Sequence, residues 1–224
     1  MIKNIVKNLK PSSTLRINEI SRSLELEGKK VYKFGFGQSP FQVPKDVVNE
    51  LKNNAYQNKY LSMQGLNELR EAISEYENKK KIQKCKADNI IIGPGTKELM
   101  FLLQILFDGE VLLPAPSWVS YAPQALISRN KINWILTKSE NNWFPTAEEI
   151  EKKIKSIGDK NIILIINSPN NPSGTICNNL KEIAMVAKKY KIKILSDEIY
   201  TDLTFDRNYL SISKFYPEGT FISG

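Results

Sequence analysis

From about residue 88 onward, short apolar runs alternate with longer amphipathic ones, and this alternation restricts the fold more than any other feature of the chain. The runs "NIIIG" (89–93), "EVLLPAP" (110–116), "INWIL" (132–136), "NIILIIN" (161–167) and "KIKILS" (191–196) read as strands buried on both faces. Between them, "TKELMFLLQILF", "WVSYAPQALIS", "TAEEIEKKIKS" and "NLKEIAMVAKKY" carry apolar residues at helical spacing. Continuous apolar strands joined through helices imply crossover connections, so the expected class is α/β, a mostly parallel sheet sandwiched by helices. Residues 220–223, "TFIS", read as one more strand, and the sequence reaches Gly224 just as that strand ends. The sheet is therefore expected to be incomplete at its C-terminal side.

The preceding part reads differently. Residues 12–28 suit a helix opened by Ser12 or Ser13 and closed by Gly28. "VYKFGFGQSPFQVP" (31–44) mixes Gly and Pro with aromatics, as a short strand running into a loop would. Pro44 opens a second helix, and residues 65–81 a third, with Leu66, Leu69, Ile73 and Tyr76 on one stripe.

Composition excludes several classes. With 41% apolar and 25% charged residues, a chain of 224 residues can bury a core, which removes the disordered and collagen-like classes. No run approaches the roughly 20 apolar residues of a membrane span, and "MIKNIVKNLK" lacks the apolar stretch of a secretory signal, so the expectation is a cytoplasmic protein without a membrane partner. Cys85 and Cys177 lie far apart without metal-ligand spacing, which predicts reduced thiols and no metal. The net charge of +8 comes mainly from lysines interspersed with glutamates on polar helix faces, not from a basic stripe with interleaved aromatics. That pattern argues for solvated faces and against a nucleic-acid partner.

Parallel sheets bind ligands beyond the carboxyl ends of their strands. After "NIII" stand Gly95, Thr96 and Lys97, either an ordinary strand-to-helix turn or a phosphate cradle built on free helix amides. After "EVLL" comes Trp118, a core residue or a flat face for an aromatic ring. After "NIILII" comes Asn171, part of a tight turn or an amide held outward ahead of Pro172. After "KIKIL" come Asp197 and Tyr200, a helix cap or two contacts to one ligand. A single ligand accounts for all four together: a flat aromatic ring with a phosphate, a cationic nitrogen and a hydrogen-bonding oxygen.

These stretches resemble, in order, the class I and II aminotransferases of the pyridoxal-phosphate fold type I superfamily. The resemblance is carried by "KFGFGQSPF", "KYLSMQGLNELREAI", "IIIGPGTKELMF", "LLPAPSWVSY", "NSPNNPSG" and "ILSDEIY", most of residues 31–200. It implies a pyridoxal-phosphate enzyme that moves an amino group from an amino acid to a 2-oxo acid. Gly95, Thr96 and Lys97 would hold the cofactor phosphate, Trp118 would stack on the ring, Asn171 and Tyr200 would bond the ring hydroxyl, and Asp197 would pair with the ring nitrogen. Gly37 matches a glycine near the substrate carboxylate, and Tyr60 a tyrosine that reaches the neighbouring subunit's cofactor phosphate, which implies a homodimer. Glu198 is read as facing elsewhere and structural. The resemblance places residues 1–40 in an N-terminal arm and the start of a small domain, and residues 41–224 in the large cofactor-binding domain. It also places the Schiff-base lysine shortly after Gly224, so no catalytic residue is named within the chain. Another reaction of the same cofactor and fold, such as a C–S β-lyase or synthase, is the alternative.

Overall fold

The structure, a computed structural model, describes residue 7 and residues 13–35, 37, 39–80, 84–205 and 209–224. It divides into two compact units, Met1–Ser62 and Met63–Gly224.

In the first unit, α1 spans Ser13–Leu26 and α2 spans Lys45–Asn54. Gly28 ends α1 as expected: at φ 78° it takes the left-handed conformation, and its N–H donates to Glu25 O at 2.9 Å. Ser12, one of the two cap candidates, lies outside the described residues, as do Phe36 and Gln38. The strand expected near residue 31 is not formed: residues 31–34 have no regular structure. Phe34 is 93% exposed and Tyr32 70%, so no apolar face supports a ladder there.

In the second unit, the helices are α3 (Asn67–Lys79), α4 (Thr96–Leu106), α5 (Tyr121–Ile127), α6 (Ala147–Ile157) and α7 (Leu180–Lys189). The strands are β1 (Glu110–Ala115), β2 (Lys131–Leu136), β3 (Ile162–Asn167), β4 (Lys193–Asp197) and β5 (Thr220–Ser223). They form one sheet in the order β2-β1-β3-β4-β5, and every pairing is parallel. Alternate side chains build the core on each face. Leu112, Leu164, Ile166 and Ile194 pack with Ile150 and Ile154 of α6 and Ile183 and Ala187 of α7. Val111, Leu113, Ile163, Ile165 and Leu195 pack on the other face with Met100 of α4 and Tyr121 and Ala125 of α5. β3 is buried throughout, which explains its uninterrupted apolar sequence.

Two expectations need correction. Residues 89–93 do not join the sheet: the sequence has the apolar content of a strand, but the segment instead bonds through Ile92 N–H to Gln64 O at 2.9 Å. Its side chain instead packs against Gly65, where a Cβ would stand 2.5 Å from Ile92 Cβ. On α3 the apolar stripe stays half exposed, with Leu69 at 43% and Tyr76 at 49%, and the helix's buried residue is Arg70. Its guanidinium finds acceptors in Gln64 Oε1 (2.9 Å), Asn67 Oδ1 (3.0 Å) and Ala87 O (3.2 Å), which offset much of the cost of burying the head group.

Thr146 starts α6 with a capping box: its Oγ1 accepts from Glu149 N–H at 3.2 Å, and Glu149 Oε2 accepts from Thr146 N–H at 2.9 Å. Thr146→Ala is expected to destabilise the protein by about 1 kcal/mol and Thr146→Ser to restore it, as read from urea midpoints.

Candidate functional site

The strand order reverses between β1 and β3, because the chain leaves β1 toward β2 and later returns to the opposite side. Loops diverging at such a switch leave a crevice at the carboxyl ends of the strands. The loop after β1 carries Trp118, the loop after β3 carries Asn171, and the end of β4 is Asp197.

Asp197 is 4% exposed and sits in register with Asn167 at the end of β3. Its Oδ2 accepts from the Tyr121 hydroxyl at 2.5 Å, and Oδ1 accepts a long bond from Ile199 N–H at 3.4 Å. Among the described residues no lysine or arginine pairs with it. Burial pushes its carboxyl above the ordinary aspartate value, and the bonds from Tyr121 and Ile199 pull it partly back. Burial first, then the charge of Asp197, pushes the Tyr121 phenol up, so it stays a donor. A buried carboxylate with two donors and no cation is an anionic seat for a positively charged group.

Other expected residues connect to it through a chain of contacts. Asn167 Nδ2 donates to Asp197 O at 2.9 Å, and Asn167 Oδ1 accepts from Asn171 N–H at 2.7 Å. Asn171 Nδ2 in turn donates to the Tyr200 hydroxyl at 3.3 Å, which leaves that hydroxyl its own proton to give. On the other side, Trp118 is half-buried with its ring edge-on to Tyr121, centroids 5.3 Å apart at 77°. Lys97 Nζ stands 5.4 Å from the centre of the Trp118 ring, and Lys97 O accepts from Gln124 Nε2 at 2.9 Å. Gly95 is the N-cap of α4 at φ 109°, a conformation that favours glycine, and a Cβ there would meet nothing within 4 Å. Its backbone, with Thr96 and Lys97 following, opens toward free space at a helix N-terminus, where anions are favoured.

Lys97, Trp118, Asn171, Asp197 and Tyr200 thus belong to one chain of contacts, and Gly95 and Thr96 adjoin it through α4. Gly37 and Tyr60 lie in the other unit. Tyr60 is fully exposed, and Gly37 is exposed with nothing within 4 Å of a would-be Cβ. The sequence reading missed Tyr121 and Asn167. The Trp118-x-x-Tyr121 spacing was the available signal for the first, since residues three apart share a face at a helix start. For Asn167 the signal was a polar residue closing an all-apolar strand.

A group held here would need an aromatic face, an acceptor or donor at one ring edge, a positive nitrogen at Asp197 and an anion near Gly95. The residues present fit that description in kind, and Asp197 supplies its most demanding requirement, a buried carboxylate with no cation paired to it among the described residues.

Comparisons with known proteins identify the family of the chain. Residues 29–220 match the model of the family described as aminotransferase class I and II. An aspartate aminotransferase of Bacillus sp. (strain YM-2) is 34% identical over 226 residues, which are 97% of this chain and 57% of that protein. One from Bacillus subtilis (strain 168) is 30% identical over 217 residues, 93% of this chain and 54% of that protein. The solved aspartate aminotransferase of Thermus thermophilus with maleate superposes with a TM-score of 0.90 at 27% identity, covering 99% of this chain and 59% of that one. The chain therefore spans a little over half the length of these relatives. By its sequence match across most of its length, and by a parallel sheet that superposes on a member's, the chain belongs to the class I and II aminotransferase family.

Proposed function

We propose that the whole protein transfers an amino group from an amino acid to a 2-oxo acid with pyridoxal phosphate, the cofactor of this family. The observation that carries the reading is the buried Asp197 carboxylate, without a cation among the described residues, joined by contacts to Trp118, Asn171 and Tyr200. When bound, the cofactor's protonated ring supplies an electron sink for the charge left as the substrate loses its α-proton. Asp197 holds the proton on the ring nitrogen, because an opposite charge within reach favours the cation. Tyr121 fixes the direction of that carboxylate by donating to Oδ2. Tyr200, whose hydroxyl accepts from Asn171 Nδ2 and so keeps its own proton to give, would donate that proton to the ring oxygen. Trp118 covers one ring face, and the amides opening α4 at Gly95, Thr96 and Lys97 hold the phosphate.

Residues 1–40 serve in this proposal as an N-terminal arm and the start of a small domain, and residues 41–224 as part of the cofactor-binding domain. Gly37 lies near the substrate carboxylate, and Tyr60 reaches the partner's cofactor phosphate in a homodimer. The protein works in the cytoplasm. No helix among the described residues is long and apolar enough to cross a membrane. The names of the relatives make aspartate the first amino donor to try.

The test is a titration with pyridoxamine phosphate followed by tryptophan fluorescence, beside an assay of amine transfer in the whole protein. Trp118→Ala is expected to weaken binding about tenfold, the scale of a stacking contact near 1.4 kcal/mol. Equal affinity of wild type and Trp118→Ala, or ammonia release without any 2-oxo acid acceptor, would count against the reading, the latter in favour of a lyase.

A further inference from the structure

Glu198 is a second buried acid, 7% exposed, immediately after Asp197. Alternation along β4 sends the two to opposite faces of the sheet. Asp197 turns to the face of Tyr121 and Leu195, while Glu198 turns with Ser196 and Ile194 toward the face that holds Ile212. There, Glu198 Oε1 accepts from Ser196 Oγ at 2.8 Å and from Ser211 Oγ at 2.7 Å. Ser211 Oγ lies 2.7 Å from Ser213 Oγ and accepts from Ser213 N–H at 3.2 Å. Ser196 is 1% exposed, and Ser211 and Ser213 are 0%. The backbone is held as well, since Glu198 N–H donates to Ser223 O of β5 at 2.7 Å.

This network has a specific geometry. The Ser196–Glu198 bond spans Asp197, and the Ser211 bond ties the same oxygen to the segment beyond residue 209. The two peptides flanking Asp197 are therefore fixed by side chains on the far face and by β5 on the near edge. An apolar residue would satisfy burial on this face at lower cost, because among the described residues no lysine or arginine pairs with Glu198. Its presence needs another explanation.

We infer that Glu198 is a positioning residue: its carboxylate clamps the Ser196–Glu198 peptide to Ser211 and so fixes where the Asp197 carboxylate stands against the bound ring nitrogen. This rests on the function proposed above. Burial pushes the Glu198 carboxyl up, with a smaller push from the Glu77 charge, while the Ser211, Ser196 and Tyr209 hydroxyls pull it back, in keeping with a carboxylate held mainly by hydroxyl donors.

The experiment is nitrogen NMR of pyridoxamine phosphate, isotope-labelled at the ring nitrogen, bound to the protein and titrated with pH. Glu198→Ala is expected to lower the apparent pKa of the bound ring nitrogen by about one, the low end of the effect of a nearby opposite charge. Glu198→Gln keeps an acceptor for both serines and is expected to restore the wild-type value. Ser211→Ala, which cuts the tether and leaves Glu198 in place, is expected to fall between them. A wild-type ring-nitrogen pKa in Glu198→Ala overturns the inference, and so does one in Ser211→Ala should Glu198→Ala not fold. Asp197→Ala runs alongside: if it leaves the ring nitrogen unchanged, the proposed function fails and takes the inference with it. If Asp197→Ala lowers the pKa and the Glu198 and Ser211 variants do not, only the inference fails.

Discussion

Asp197→Ala is expected to lower amine transfer by the whole protein about 10- to 1000-fold while pyridoxamine phosphate still binds. The range follows from the charge effect, since a carboxylate in contact with a cation shifts its pKa by about 1 to 3, or roughly 1.4 to 4 kcal/mol. That stabilisation acts where negative charge enters the ring, so its loss should fall on the turnover rate more than on binding. Binding survives because Trp118 and the opening of α4 lie on other elements, the β1 loop and the helix after Gly95. The check is the rate of α-proton exchange from a deuterated amino-acid substrate, together with the fluorescence titration. Unchanged exchange would remove Asp197 from the chemistry, and loss of exchange that merely follows a loss of binding would make it a packing residue.

The same site shows what a sequence can and cannot disclose. β3 at Ile162–Asn167 was legible because a parallel strand buried on both faces must be apolar throughout, whatever its neighbours. The rule that ligands gather past strand ends then led to Trp118, Asn171, Asp197 and Tyr200, which the fold joins by contacts. Residues 89–93 misled because apolar content specifies burial but not a ladder partner, and the burial there is Ile92 against Gly65. Arg70 was hidden for the opposite reason. Its acceptors at residues 64, 67 and 87 become a set only once α3 meets the turn at Ala87–Asn89. The Tyr121–Asp197 bond joins residues 76 apart in sequence, so no local pattern could reveal it. Glu198 could be sent to the far face by alternation, but its serine partner at 211, itself bonded to Ser213, could not be foreseen.

Asp197→Asn is expected to act in the opposite sense on the ligand-free protein, raising its unfolding free energy at neutral pH by about 0.5–2 kcal/mol, the usual scale when a functional site gives up a destabilising group. The carboxylate is buried, its pKa is raised chiefly by desolvation, and its protein partners are the Tyr121 hydroxyl and the Ile199 amide. A neutral amide can keep the Tyr121 bond without the cost of a buried charge. The sign of the pH dependence follows. The folded protein binds this proton more tightly than the unfolded chain, whose aspartate keeps the ordinary value of 3.8. The cost is therefore fully present above the raised folded-state pKa and is relieved as pH falls through it toward 3.8. Asp197→Asn should be more stable than wild type at neutral pH, and the gap should close on acidification. Saturating pyridoxamine phosphate should reverse the order, because a protonated ring gives the wild-type carboxylate the cation it lacks. Urea midpoints for both proteins across pH, with and without pyridoxamine phosphate, measure all three effects. A wild type more stable than Asp197→Asn without ligand at neutral pH would mean that the protein itself neutralises Asp197, and the case for a ligand cation at this seat would lose its physical basis.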